Sequence, residues 1–208
     1  MTRTPLELDP DLVLGIDPGT IVVGYGAVRS LDGRARLAGP RAALVEAGVV
    51  RAKRSRPLAE RLGRIVAELD DLVRDLRPGT VVVERAFTGR NPLTALRLGE
   101  GRGLALAIAA RHGCQVVERT PAETKRLVAG TGAATKELVA GAVAGLLGVP
   151  LEGSPLDATD ALALALSELF RPAIDPVARA RAAATARSAR ASAPDSGDAG
   201  VNRSGTRS

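Results

Sequence analysis

Apolar runs of strand length come first along the chain and are followed by longer amphipathic stretches. Three runs rich in Val, Ile, Leu and Ala cover residues 12–17, 21–28 and 43–51. The first is almost wholly apolar up to Asp17, which is typical of a strand buried on both faces of a sheet. Turn residues, Pro18-Gly19 and the segment 33–40, separate the runs. The pattern therefore predicts three strands joined as an antiparallel meander.

The spacing of apolar residues changes after residue 57. Leucine and isoleucine recur at intervals of three and four up to Pro78-Gly79, which predicts an amphipathic helix opened by Pro57. This apolar stripe consists of Leu58, Leu62, Ile65, Leu69, Leu72 and Leu76. A fourth strand is predicted over 80–84. Asn91-Pro92 then supplies an N-cap and a first-turn proline for a second helix that runs to about Arg111.

The second half of the chain predicts one more strand and three more helices. Val116-Val117, with Cys114, indicates the fifth strand. Thr120 and Glu123 form a capping-box pattern for a short helix ended by Gly130, and longer helices are predicted over 135–147 and 156–170. Three strands followed by alternating helices and strands indicate an α/β fold, a mixed five-stranded sheet flanked by helices.

Composition changes near the C-terminal end of the sequence. Beyond residue 172 the chain is rich in Ala, Arg, Ser, Gly and Asp and almost lacks large apolar side chains. We therefore expect a folded domain over 11–172, a flexible leader over 1–10 and a disordered basic tail over 173–208. The tail contains six Arg and three Asp, and a DNA-tethering arm is an alternative interpretation of it.

Charge and cysteine content restrict the class of protein. The chain of 208 residues has a formal charge of +6 and a pI near 10.6, which favours a polyanionic partner, although codon bias would also produce abundant Arg and Ala. A single cysteine and the absence of a secretory pattern at the first residues predict a cytoplasmic location. No stretch reaches the roughly twenty apolar residues of a membrane span.

Four acidic residues stand where a buried carboxylate is costly. Asp17 and Glu84 end two apolar strands, and Asp157 and Asp160 share one face at the start of a long apolar helix. An oxygen-only set of this kind suits Mg²⁺ or Mn²⁺, whereas one His and one Cys serve zinc poorly. If the four converge, they can hold two cations roughly 3.5–4 Å apart, the arrangement used for phosphodiester displacement.

Three of these acids also have a structural interpretation. Asp17 fits a turn before Pro-Gly. Glu84 fits a strand end at the surface, paired with Arg85, and Asp157 fits a capping box opened by Ser154. Asp160 has no such alternative, because it lies a full turn inside the predicted helix.

Four motifs, in order, resemble the RuvC crossover junction endodeoxyribonucleases. They are Leu14-Gly15-Ile16-Asp17-Pro18-Gly19 with Gly24-Tyr25-Gly26, Val83-Glu84-Arg85-Ala86-Phe87, Ala95-Leu96-Arg97-Leu98-Gly99-Glu100-Gly101-Arg102-Gly103, and Asp157-Ala158-Thr159-Asp160-Ala161-Leu162-Ala163. The resemblance spans residues 12–171. It implies a ribonuclease-H-like fold, a Mg²⁺-dependent homodimer in which Mn²⁺ can substitute, and catalytic and metal-ligating roles for Asp17, Glu84, Asp157 and Asp160.

The resemblance also implies a substrate and a biological setting. The family nicks four-way Holliday junctions in symmetric pairs during homologous recombination and DNA repair, leaving 5′-phosphate and 3′-hydroxyl ends. Partnership with the branch-migration proteins RuvA and RuvB is an accompanying expectation.

Candidate DNA-binding residues lie around the second motif and in the segment before the paired acids. Phe87, in a polar loop with Arg90, is either a ring folded onto the core or an aromatic wedge that stacks on a base. Arg85 stands where many relatives of the family are expected to carry an uncharged polar residue. Lys125 and Lys136 are either solvated or, as the resemblance implies, contacts to the DNA backbone.

Two glycines of the third motif suggest a close contact. Gly99 and Gly103 share a face of a helix that otherwise consists of good helix formers, so we expect that face to approach the sheet or the same helix of a second subunit. The family forms its dimer through this region.

Two other classes of function remain as alternatives. Gly15-Ile16-Asp17-Pro18-Gly19-Thr20 also resembles the phosphate loop of actin-like ATPases and sugar kinases, but only one such domain fits in the chain. A non-catalytic junction-binding module would explain the charge and Phe87, but not the four acids.

Overall fold

The computed structural model of the chain describes residues 7–31, 42–85 and 92–171. The strands are β1 (Asp9–Asp17), β2 (Val22–Ser30), β3 (Ala42–Arg51), β4 (Pro78–Glu84) and β5 (Gln115–Arg119). The helices are α1 (Leu58–Leu76), α2 (Pro92–Arg111), α3 (Pro121–Ala129), α4 (Lys136–Leu147) and α5 (Leu156–Leu169). Within the described residues, no helix is both long enough and apolar enough to cross a membrane.

The five strands form one mixed sheet in the order β3-β2-β1-β4-β5. The predicted meander is confirmed, since β1 pairs antiparallel with β2 and β2 with β3. β4 and β5 then add in parallel on the other side of β1. The parallel strands are joined through helices, as the predicted alternation requires.

Helices cover both faces of the central strands, which explains why residues 12–16 of β1 and 81–83 of β4 carry no polar side chain. Leu14 and Ile16 of β1 face the core formed with α1 and α2. Val13 faces the opposite core, formed with α4 and α5, and Val82 of β4 does the same. Successive side chains of a strand point to opposite faces, so a strand with helices on both sides needs apolar residues throughout.

Several predicted boundaries moved by two or three residues. β1 begins at Asp9 because Asp9 pairs with Pro78 of β4, and β4 accordingly begins at Pro78. The helix before it ends at Leu76, where Arg77 takes the left-handed conformation with φ 53°. A glycine would adopt this conformation more easily, so the sequence did not reveal that Arg77 closes the helix.

The cap predicted at the start of α3 is confirmed, whereas Asn91, the predicted N-cap of α2, lies outside the described residues. Thr120 and Glu123 form the predicted capping box of α3, and Thr135 caps α4 by accepting a hydrogen bond from the backbone N–H of Leu138 at 3.3 Å. Gly130 and Gly148 end these helices with positive φ values of 80° and 68°. Local sequence therefore determines where α3 and α4 begin, and the first residues of both helices, Pro121 and Lys136, line one pocket with Asp17 and Glu84.

Candidate active site

Asp17 and Glu84 lie side by side at one edge of the sheet. Each is the last residue of its strand, and β1 and β4 run parallel with Ile16 paired to Val83. The parallel register of β1 and β4 therefore places both carboxylates at the same edge of the sheet. The interpretation of Asp17 as an isolated turn residue does not account for this placement.

The start of α5 reaches the same edge because glycines let the helix backbone touch the sheet. A Cβ on Gly24 would lie 2.0 Å from the carbonyl oxygen of Asp157, and one on Gly15 would lie 2.0 Å from that of Ala161. Gly24 pairs with Asp17 across the β1–β2 ladder. The close approach therefore places the first turn of α5 directly over the end of β1.

All four acids line one open pocket of about 350 Å³. α3 and α4 form its other walls, and both candidate lysines border it. The lining residues are Asp17, Glu84, Pro121, Thr124, Lys125, Lys136, Val139, Asp157, Asp160 and Ala163. Residues from two strands and three helices that are distant in sequence therefore meet at one site.

Burial and mutual repulsion in the pocket disfavour the ionised forms of two of the acids. Burial raises the pKa of Asp17 to about 7, with further contributions from Glu84, Asp160 and Asp157. Burial and Asp160 also raise the pKa of Glu84. Lys136 acts in the opposite direction on both groups. The pocket thus concentrates more negative charge than its surroundings balance, which favours a cation.

Lys136 is in direct contact with the acid set. Its Nζ lies 3.2 Å from Oδ2 of Asp160, and this pair raises the pKa of Lys136. Lys125 lines the same pocket but makes no ion pair within the described residues. The two lysines that stood out in the sequence therefore lie together, in different electrostatic environments.

Two of the structural alternatives for the acids fail. The N-cap of α5 is Pro155 with no side-chain cap hydrogen bond, so Asp157 does not close a capping box with Ser154. Glu84 and Arg85 form no ion pair within the described residues. Arg85 is exposed just past the strand and does not line the pocket, and its backbone N–H donates to the carbonyl of Arg119 at 2.7 Å.

The expectation that Gly99 and Gly103 could press on the sheet was wrong. Among the described residues, a Cβ on either glycine would meet nothing within 4 Å, whereas one on Gly101 would lie 2.7 Å from the carbonyl oxygen of Gly19. Gly101 lies on the opposite side of α2 from the other two, because residues two apart on a helix point roughly 200° away from each other. No part of the chain that the structure describes covers Gly99 or Gly103, so the alternative of a second subunit stays a prediction.

Thr124 belongs to the pocket although the sequence analysis did not single it out. Phe87 and Arg90 lie outside the described residues. Thr124 of α3 lines the pocket, is 6% exposed, and has a buried hydroxyl without a hydrogen-bond partner within the described residues. Apart from its position one turn after the cap of α3, no sequence feature marks Thr124 as a site residue.

The donor chemistry of the pocket fits a hard divalent cation. Four carboxylates line it, and no His or Cys does. Within residues 7–31, 42–85 and 92–171, however, no three His, Cys, Asp or Glu side chains are arranged closely enough to hold a metal ion as they stand. Placing three of these carboxylates on one ion therefore requires side-chain rotation.

The sheet has the order β3-β2-β1-β4-β5, and acids stand at the ends of the parallel strands β1 and β4 and on the helix α5 that crosses them. This arrangement defines a ribonuclease-H-like nuclease. Among solved structures, the RuvC of Thermus thermophilus superposes with a TM-score of 0.69 at 36% identity, covering 76% of this chain and 93% of that one. The same protein in complex with Holliday junction substrate gives the same values. The yeast mitochondrial Holliday junction resolvase, at 14% identity and a TM-score of 0.57, shares the fold.

Sequence comparison identifies the family. The family profile described as crossover junction endodeoxyribonuclease RuvC matches residues 13–168. The RuvC of Chlorobaculum parvum is 41% identical over 162 residues, covering 78% of this chain and 83% of the relative. The RuvC of a Parafrankia species is 42% identical over 177 residues, covering 85% and 94%.

The chain therefore belongs to the RuvC family of crossover junction endodeoxyribonucleases. Its activity is that of a Holliday junction resolvase, a nuclease of DNA recombination and repair. The ribonuclease-H-like fold implied by the sequence motifs is confirmed.

Proposed function

We propose that this chain cleaves junction DNA in a reaction that depends on divalent cations and uses Asp17, Glu84, Asp157 and Asp160 as its catalytic and metal-ligating residues. The observation that carries the proposal is the convergence of these four carboxylates in one pocket, where the pKa of Asp17 is raised to about 7. The family assignment supplies the reaction, phosphodiester hydrolysis in DNA.

Mg²⁺, with Mn²⁺ able to substitute, fits the donor set, and a pair of ions held there would activate the attacking water and stabilise the departing 3′ oxygen. Asp17 and Glu84, fixed at strand ends, form the rigid part of the ligand set. Asp157 and Asp160 approach from the helix that crosses above them. Because strands and packed helices hold side chains more accurately than loops do, this arrangement can orient a phosphate for in-line attack.

The basic residues around the pocket supply contacts for the DNA backbone. Lys125 and Lys136 border the acids and can meet the phosphates that flank the cleaved bond. Arg85 lies just past Glu84, and we assign it, with Phe87 and Arg90, to DNA binding. Phe87 is the candidate for stacking on an unpaired base near the junction centre.

A homodimer that acts on a four-way junction completes the proposal. The Thermus thermophilus relative was solved with a Holliday junction substrate, and we extend that substrate to this chain. The open face of α2 with Gly99 and Gly103 suits a second copy, because two active sites related by a two-fold axis can make two symmetric nicks. We further propose a cytoplasmic location and assembly with RuvA and RuvB.

The family assignment leaves no support for the actin-like ATPase alternative. A non-catalytic junction-binding module would not need four carboxylates in one pocket, since buried acids repel one another and the DNA. Cleavage chemistry explains that cost, because it uses the same acids to hold cations.

A synthetic four-way junction tests the proposal. We expect symmetric nicks with Mg²⁺ and intact DNA with EDTA. Glu84→Gln and Asp160→Asn should each lower the single-turnover nicking rate by about 10²- to 10³-fold while junction binding persists. Asp71→Asn is the matched control, because Asp71 is an exposed acid on α1 that pairs with Arg74. Nicking at full rate in EDTA, or by Asp160→Asn, would contradict the proposal.

A further inference from the structure

Lys136 occupies a fixed position at the rim of the acidic pocket. It is the first residue of α4, and Thr135 caps that helix through the backbone N–H of Leu138. Its Nζ lies 3.2 Å from Oδ2 of Asp160. The Lys136 side chain is 64% exposed and that of Asp160 is 35% exposed. The backbone is anchored, while the long side chain has room to swing between the acids and solvent.

The ammonium acts on the whole acid set as well as on its immediate partner. Lys136 stabilises the ionised forms of Asp17 and Glu84, opposing the effect of their burial. Asp17 and Asp157 in turn add to the stabilisation of its own charged form. The contact with Asp160 therefore places one positive charge among four carboxylates that otherwise repel one another.

We propose that Lys136 is a built-in counter-cation of the pocket, which a divalent cation displaces from Asp160 and which is then released to a DNA phosphate. This inference rests on the proposed function, in which Asp160 is a metal ligand. It goes further by assigning Lys136 two successive partners and by linking occupation of the pocket to engagement of the DNA strand.

The energetics of the contact permit such an exchange. An exposed lysine–carboxylate pair is weak, because water screens it and the long side chain loses conformational freedom. A divalent ion brings twice the charge and can engage several carboxylates at once. The displaced ammonium then lies beside the place where a strand phosphate must sit, so binding of cation and of DNA should favour each other.

Lys125 provides a matched control within the same pocket. It lies on α3, lines the same cavity and carries the same charge, but it has no ion pair within the described residues. Removing its charge tests the general effect of positive charge near the acids. Removing that of Lys136 tests the specific contact with Asp160.

The experiment is calorimetric titration of the full chain with Mn²⁺, without DNA, at low ionic strength. We expect Lys136→Met to bind Mn²⁺ about three- to tenfold more tightly than the unchanged protein, because a competing charge has gone. Lys125→Met should stay within about twofold. Thermal melting gives a second measurement: without divalent cations Lys136→Met should melt lower than the unchanged protein, and saturating Mn²⁺ should reduce the difference.

The outcomes separate this inference from the proposed function. An unchanged Mn²⁺ affinity in Lys136→Met would overturn the counter-cation role, as would an equal gain in Lys125→Met. Asp160→Asn is the remaining variant, and it should bind Mn²⁺ more weakly. If Asp160→Asn bound Mn²⁺ as well as the unchanged protein, the assignment of Asp160 as a ligand would be wrong, and with it the inference.

Discussion

Substituting Gly24 by alanine would test whether the contact between β2 and α5 positions the active site. An added Cβ would lie 2.0 Å from the carbonyl oxygen of Asp157 and 2.4 Å from its carbonyl carbon. Ordinary contacts of a Cβ lie at 3.4–4 Å, so the first turn of α5 must move away from the sheet by more than about 1 Å. That movement carries Asp157 away from Asp17.

The expected losses differ between activity and stability. A misplacement of about 1 Å in a catalytic group costs on the order of 10²-fold in rate. Overpacking in a core costs about 1–3 kcal/mol, which corresponds to a fall in Tm of roughly 3–10 °C for a domain of this size. Most of the Gly24→Ala protein should therefore stay folded at 25 °C while its single-turnover nicking of a four-way junction falls about a hundredfold.

Gly63→Ala is the control for this experiment. Gly63 lies within α1, and an added Cβ there would meet no described residue within 4 Å. Alanine is favoured over glycine in a helix by about 1 kcal/mol, so this variant should melt slightly higher and nick at the unchanged rate. A Gly24→Ala protein that nicks as fast as the unchanged protein would refute the view that this contact sets the position of Asp157.

Three further predictions concern pH, the aromatic wedge and the dimer. Burial raises the pKa of Asp17 from 3.8 to about 7 in the folded protein, so the contribution of Asp17 to stability should decline as the pH rises from about 4 to about 7. In buffer without divalent cations, the Tm of Asp17→Asn should therefore fall less across that range than the Tm of the unchanged protein. An equal fall in the two proteins would count against the burial of this charge. Phe87→Ala should slow nicking of intact junctions by about tenfold to a hundredfold while leaving the Tm nearly unchanged, and an unaltered rate would exclude stacking by this ring. Gly103→Leu should weaken the dimer in analytical ultracentrifugation without lowering the Tm of the subunit, and an unchanged association constant would place the interface elsewhere.

The elements of this fold follow from short-range features of the sequence. Apolar runs predicted the strands, and the three- and four-residue spacing of apolar residues predicted α1. Thr120 and Thr135 marked the predicted starts of α3 and α4. These signals act within a few residues through side-chain periodicity and helix capping, so one sequence suffices to read them. The acids were also recognisable, because a charge at the end of an apolar run needs a partner.

The tertiary structure decided which groups meet. In the sequence, Gly15 and Gly24 stood out only as members of the first motif, but they allow α5 to touch the sheet and so bring Asp157 into the pocket of Asp17. Gly101, rather than Gly99 or Gly103, proved to be the close-packed glycine of α2. The ion pair of Lys136 with Asp160 and the entry of Thr124 into the pocket likewise join separate elements. Such contacts depend on how helices cross the sheet, which is set by packing between segments far apart in the chain and leaves no local pattern.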